Sequence, residues 1–149
     1  MLYYEDIETG KVHKFGAYEV TREEALDFAT KFDPQPFHLD DEAACKTHFG
    51  RLSCSGWHTA AMTMRMMVDD MNENKQAGLG SPGVDNIKWM KPVYPGDTLY
   101  CETETLKKRL SRKRPYMGIL KGRVTVRNQN DEPVMTMDST GLIEVRGDT

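Results

Sequence analysis

This 149-residue chain lacks three things, and each absence excludes a class of protein. It has no apolar run approaching the roughly 20 residues that a helix needs to cross a bilayer. Its first residues, Met1-Leu2-Tyr3-Tyr4-Glu5-Asp6, lack the basic-then-apolar order of a secretory signal. The expectation is a cytoplasmic protein with no membrane partner. Cysteine is scarce and odd in number: Cys45, Cys54 and Cys101 have neither the paired spacing of a zinc site nor the count of a disulfide framework. They read as reduced, buried thiols. An excess of positive charge is also missing, since the formal net charge is −3, and that argues against a nucleic-acid partner. The local exception is Lys107, Lys108, Arg109, Arg112, Lys113 and Arg114. Such a run is by default a solvated hairpin.

What is present suits a soluble globular chain: 29% charged and 38% hydrophobic residues, expected to form a single domain over 1–149 with its own core. Residues 11–20 alternate weakly and predict a strand. Thr21-Arg22-Glu23-Glu24 has the spacing of a capping box and opens a first helix, whose Ala25, Phe28, Ala29 and Phe32 recur at helical intervals and predict an inward face. Pro34 stops it. Asp40-Asp41-Glu42 predicts the acidic start of a short helix ending near Phe49-Gly50. From Trp57 to Met71 the chain is apolar around most of a helical circumference, with Trp57, Ala60, Ala61, Met64, Met67, Val68 and Met71 as the predicted inward stripe, widened by Met62 and Met66. A helix of that kind must be largely enclosed. Segments 83–93, 97–109, 115–128 and 133–146 are β-rich, and turn residues at Tyr94-Pro95-Gly96-Asp97 and Asn128-Gln129-Asn130-Asp131 predict a meander of hairpins. The predicted class is α+β, an antiparallel sheet wrapped around one long helix.

Between the first two helices lies Asp33-Pro34-Gln35-Pro36-Phe37-His38. Each proline fixes its own φ and keeps the residue before it out of helical geometry, so the segment reads as a rigid loop presenting a carboxylate and an imidazole. On spacing alone, Asp33 is equally a residue that ends a helix and His38 equally a satisfied surface histidine.

The order of elements, the Asp33-to-His38 loop and the segment Trp89-Met90-Lys91-Pro92-Val93-Tyr94-Pro95-Gly96-Asp97-Thr98-Leu99 together resemble the MaoC-like, or (R)-specific enoyl-CoA hydratase, group of hotdog-fold proteins, over roughly residues 5 to 146. The resemblance implies a hotdog fold, a homodimer or dimer-based oligomer, and a lyase that adds water across the 2,3 double bond of an acyl-CoA thioester. It places the catalytic pair on Asp33 and His38 and the oxyanion donor on the Gly56 N–H. It puts Gln35, Phe37, Ser55 and Trp57 against substrate. The chain departs from the family pattern at Lys31-Phe32, at Gln35 and at Ser55, where the family commonly carries Ser or Thr then Gly, an Asn, and a His.

The same assignment follows from chemistry. Hydrating a conjugated thioester needs a base for water, a proton donor for the α-carbon and a donor for the enolate oxygen. A carboxylate and an imidazole that titrates near neutrality can share the first two tasks. A glycine N–H at a helix N-terminus can supply the third, typically worth about 3 to 4 kcal/mol in the transition state. No metal or other cofactor is required by that scheme. His48 and His58 lack closely spaced partner ligands, so a metal site is not expected. Arg109, Arg112 and Arg114 are a minority candidate for the phosphates of CoA, and the methionines for an acyl tunnel. Two rivals stand beside the hydratase: a hotdog thioesterase, disfavoured because the long helix carries acids only at Asp69 and Asp70, and a non-catalytic acyl-binding subunit.

Overall fold

A computed structural model describes residues 1–147; the last two positions of the expected 1–149 domain lie outside the described residues. After a 3-10 turn at Tyr4–Asp6 come β1 (Val12–Glu19), α1 (Arg22–Phe32), α2 (Pro36–Leu39), α3 (Asp41–Cys45) and α4 (Gly56–Glu73). The remainder is β2 (Gly83–Trp89), β3 (Thr98–Leu110), β4 (Met117–Arg127) and β5 (Pro133–Glu144). All pairings are antiparallel, in the order β1-β3-β4-β5-β2. The class is α+β, with the sheet curved over α4. Among the described residues no helix is long and apolar enough to cross a membrane.

The sheet order corrects the predicted four-strand meander. β3–β4 and β4–β5 are hairpins, but β2 pairs with β5 at one edge while β3 lies beside β1 at the other. The turn at Tyr94-Pro95-Gly96-Asp97 forms as expected, with Asp97 N–H donating to the Tyr94 carbonyl at 3.0 Å and Gly96 at φ +99°. It sits inside a crossing connection, because Val93 accepts from Cys54 N–H (2.7 Å) and Gly96 donates to the Val20 carbonyl (2.8 Å). A turn motif specifies local reversal and says nothing of which strand comes next. The open edges are therefore β1, the first strand of the chain, and β2.

The rotation of α4 is the second correction. Its buried residues are His58, Thr59, Met62, Thr63 and Met66, whereas Trp57, Met64 and Val68 of the predicted inward stripe are exposed, as is Ala61. Hydropathy counts threonine as polar, yet the Thr63 hydroxyl donates to the Thr59 carbonyl at 2.8 Å and can enter the core without an unsatisfied group. Met62 and Met66 then pack on β1 and β3. β1 admits Met66 through a bulge at Gly16 (φ +84°), where a Cβ would stand 2.7 Å from the Met66 sulfur. The single chain consequently encloses one side of α4 only.

Two smaller expectations fail for the same reason, a helix that touches the core along a narrow stripe. On α1, Ala25 and Ala29 are buried, but Phe28 is half-buried and Phe32 is 71% exposed. Cys54 and Cys101 are buried thiols, whereas Cys45, at the end of α3, is exposed. Burial pushes both buried thiols up to about 12, which leaves them unreactive at neutral pH.

Candidate active site

α1 delivers the chain to Asp33 as its spacing implies. The Thr21 hydroxyl caps the start by accepting Glu24 N–H at 3.2 Å, and Asp33 N–H closes the end on the Ala29 carbonyl at 2.9 Å. The predicted loop is shorter than expected. Pro36 occupies the first position of α2, a site that suits a residue with no N–H, so His38 rides on a single helical turn. Gln35 N–H donates to the Asp33 carbonyl (2.8 Å) and His38 N–H to the Gln35 carbonyl (2.9 Å), which closes the bend.

His38 is not a surface histidine. It is 6% exposed, and its Nδ1 lies 2.7 Å from the Ser53 carbonyl. A carbonyl can only accept, so Nδ1 carries the proton and the neutral ring keeps its lone pair on Nε2. That atom faces Asp33 Oδ2 at 3.6 Å. Two acceptors at this separation leave the place between them to a proton or a water. Phe37, edge-on at 4.6 Å, and Phe49, tilted at 5.8 Å, wall the imidazole.

Asp33 works from the opposite side. Burial acts to raise its pKa, but hydrogen bonds from Ser55 and Gln35 and the charge of His38 outweigh that and hold it below the ordinary carboxylate value. Gln35 Nε2 donates to Asp33 Oδ1 at 2.6 Å, so the glutamine found in place of the family asparagine still reaches the carboxylate. Ser55 is buried and caps α4 by accepting Trp57 N–H at 3.2 Å, and its hydroxyl is also one of the groups that lower the Asp33 pKa. Gln35 and Ser55 therefore hold the carboxylate in place.

Gly56 opens α4, and among the described residues its N–H has no hydrogen-bond acceptor. A Cβ there would stand 2.5 Å from the Trp89 ring, so only glycine fits under the indole. Trp89 is a site residue that no spacing revealed, because β2 reaches α4 by tertiary packing. It meets Trp57 edge-on at 5.1 Å, and both rings are partly exposed at the mouth of the helix.

The remaining candidates lie elsewhere. The basic run sits at the far end of β3, roughly 40 Å along the strand at about 3.4 Å per residue from its start beside α1. Lys108 is already engaged there, its ammonium 4.6 Å from the Tyr4 ring and bonded to the Tyr4 carbonyl at 3.1 Å. His48 is exposed and packs on Phe49, while His58 is 3% exposed. Among the described residues, one cavity of about 270 Å³ lies between α1 and α4 and another of about 450 Å³ over β1, β3 and the end of β4. Neither is lined by Asp33, His38 or Gly56.

Comparison with known proteins places this architecture. The profile of the MaoC like domain matches residues 6–127. Uncharacterized protein YdeM of Bacillus subtilis is 30% identical over 135 residues, covering 91% of this chain and 94% of that protein. The crystal structure of a MaoC-like dehydratase from Rhodospirillum rubrum is 35% identical, with a TM-score of 0.89 and 99% of each chain covered. A Mycobacterium tuberculosis protein described as having a double hotdog fold superposes with a TM-score of 0.79 at 16% identity, over 99% of this chain and 46% of its own. The fold is the hotdog fold.

Proposed function

The chain belongs to the MaoC-like dehydratase family, and on that premise we propose that it is a hydro-lyase adding water across the 2,3 double bond of an enoyl-CoA thioester. It acts in the cytoplasm as a homodimer of hotdog domains, each spanning 1–149. One observation carries the reading: His38 has Nδ1 committed to the Ser53 carbonyl and Nε2 facing the ionised Asp33 at 3.6 Å.

In the proposed reaction the water between the two groups gives a proton to His38 Nε2 as its oxygen bonds to C3 of the enoyl group. The C2–C3 π electrons move toward the thioester, and the charge arriving on its oxygen is received by the Gly56 N–H and the positive end of α4. The imidazolium, stabilised by Asp33, returns the proton to C2. Dehydration runs the same steps backwards. The buried face of His38 keeps the tautomer, while Ser55 and Gln35 keep the carboxylate ionised and aimed.

The outward stripe of Trp57, Ala61, Met64 and Val68, together with the unpaired edge of β2, supports the dimer, because an apolar helix face and an open strand edge both favour a second copy. Hydrolysis of the thioester is disfavoured. Asp69 is paired with Arg65 and Asp70 with His13, and both lie about 20 Å along α4 from Gly56 at 1.5 Å per residue.

Purified protein with crotonyl-CoA tests the proposal. Loss of the enone absorbance with no free thiol is the expected result; release of thiol would replace the hydratase by a thioesterase, and no change in either signal would leave an acyl-binding subunit.

A further inference from the structure

Within the first turn of α4 most backbone donors are already spent. Trp57 N–H goes to the Ser55 hydroxyl at 3.2 Å, and the N–H groups of His58 and Thr59 go to the Ser55 carbonyl at 3.0 and 3.1 Å. Of that turn, Gly56 N–H is what remains for a ligand among the described residues. The side-chain donors beside it are committed too. Gln35 Nε2 donates to Asp33 Oδ1, the Ser55 hydroxyl is a hydrogen-bond partner of Asp33, and His38 Nδ1 donates to the Ser53 carbonyl. An enolate oxygen carries several lone pairs, so one N–H leaves much of its developing charge without a donor.

A second donor stands over the same glycine. Trp89 lies directly opposite Met135 of β5, and Met90 N–H donates to the Val134 carbonyl at 2.9 Å, so the end of β2 is held in register. Opposite residues of an antiparallel pair share a face, and Met135 is buried in the core with Met62 and Met66 of α4, which puts the Trp89 ring on the α4 side. The point that a Gly56 Cβ would occupy is 2.5, 2.7 and 2.8 Å from Cε2, Cδ2 and Nε1 of the indole. Three contiguous ring atoms at nearly equal distances mean that the ring lies face-on over the glycine. Covalent geometry sets the Gly56 nitrogen about 2.5 Å from that point, so the two nitrogens are at most about 5.3 Å apart. One oxygen accepting from both at about 2.9 Å can span up to about 5.8 Å. Among the described residues Trp89 Nε1 has no hydrogen-bond partner; the ring meets only the edge of Trp57 beyond the glycine and is 43% exposed, within reach of a substrate.

Resting on the hydratase reading above, we propose that Trp89 is a further catalytic residue, whose Nε1–H is the second donor to the thioester oxygen beside Gly56 N–H. The indole nitrogen donates and never accepts, so it brings no lone pair to compete with the enolate. No proton leaves it. Its hydrogen bond strengthens as the π electrons of the enoyl group move onto the oxygen, and the ring shields one side of that oxygen from water, where the same bond is worth more. The close approach of indole and glycine acquires a purpose on this reading. A Cβ at position 56 would hold the ring away, and with it the nitrogen that has to reach the shared oxygen.

The test removes the N–H with little change of shape. Site-specific incorporation of β-(3-benzothienyl)alanine in place of Trp89 exchanges the indole N–H for sulfur, and Trp89→Phe is the genetically encoded counterpart. Each should lower kcat for crotonyl-CoA by at least about tenfold with KM within about threefold of wild type, because the donor acts on charge that appears only in the transition state. Acetoacetyl-CoA supplies a readout that packing alone would not move, since its enolate resembles the charged intermediate. The enolate absorbance of the bound compound should fall at least about tenfold in both variants, while affinity for 3-hydroxybutyryl-CoA, a neutral thioester, changes by less than about threefold. Variant rates within about threefold of wild type, or equal losses for the enolate and the neutral product, overturn the proposal. The benzothienyl variant keeps the outline of the indole and decides alone if Trp89→Phe does not fold. Wild-type protein with crotonyl-CoA separates the two failures: turnover that the variants retain sinks the second donor only, whereas no turnover sinks the hydratase reading and this proposal with it.

Discussion

Two carboxylate–imidazole pairs, one at the end of α1 with His38 of α2 and one at the start of α1 with His58 of α4, are built in opposite ways. In Asp33–His38 the imidazole is anchored through Nδ1 to a backbone carbonyl, so Nε2 faces the carboxylate at 3.6 Å with its lone pair unspent. In Glu24–His58 the anchoring bond is Nε2 to the carboxylate itself, at 3.1 Å, and Tyr18 takes the same oxygen. The first pair can pass a proton to and from a third party. The second also keeps a lone pair, on Nδ1, but that atom is buried with no partner in reach and cannot exchange a proton with a substrate. What makes a histidine a base is the partner of its other nitrogen, and here that partner is the Ser53 carbonyl.

The largest effect that would break this contrast is at the first pair. Asp33→Asn and His38→Gln should each lower kcat/KM for crotonyl-CoA by at least about 100-fold. Steady-state rates that fall less than tenfold would move the chemistry elsewhere. Next, Gly56→Ala must push a Cβ into the Trp89 indole, so a loss of about 1–3 kcal/mol is expected in chemical denaturation. Unchanged stability of Gly56→Ala would show that the Trp89 indole yields to the added methyl.

Ser55→Ala sharpens the comparison within the first pair. It deletes one of the hydrogen bonds that hold the Asp33 pKa down, so the acid limb of the pH–rate profile should move to higher pH with a rate loss of about tenfold or less. An unmoved limb would show that Ser55 serves the helix cap alone. The smallest effect belongs to the second pair and is read in stability. The folded His58 pKa lies below its unfolded value, so its contribution is complete above about pH 6.5 and is lost as pH falls from there toward the folded pKa. Asp33 and Glu24, also depressed in the fold, lose theirs only as pH falls below about 4, through their lower folded pKa values. His58→Gln should flatten the thermal-stability curve just below pH 6.5 while leaving the steeper acid limb in place.

Features written in local chemistry were legible before any coordinates. Thr21 caps α1, Pro34 ends it, Asp40 caps α3 by accepting Ala43 N–H at 3.0 Å, and Asp131 takes the left-handed geometry expected of its turn, at φ +59°. The Asp33-to-His38 spacing was legible for the same reason, since five residues braced by two prolines have few conformations. The facing side of α4 was not, because a helix apolar over most of its surface has no unique inward direction until a sheet is laid against it. Trp89 over Gly56 and the diversion of Glu24 from its capping box to Tyr18 and His58 were equally hidden, each depending on a residue distant in the chain.

By itself, then, the chain determined both ends of α1, the start of α3, the positions of its turns and the presence of an acid and an imidazole on one short bend, all of which follow from backbone restriction over a few residues. Tertiary structure alone decided which strand lies at the sheet edge, which half of α4 faces inward and which nitrogen of each histidine is free. Those outcomes depend on contacts between segments tens of residues apart, where packing and hydrogen-bond satisfaction outweigh any local preference.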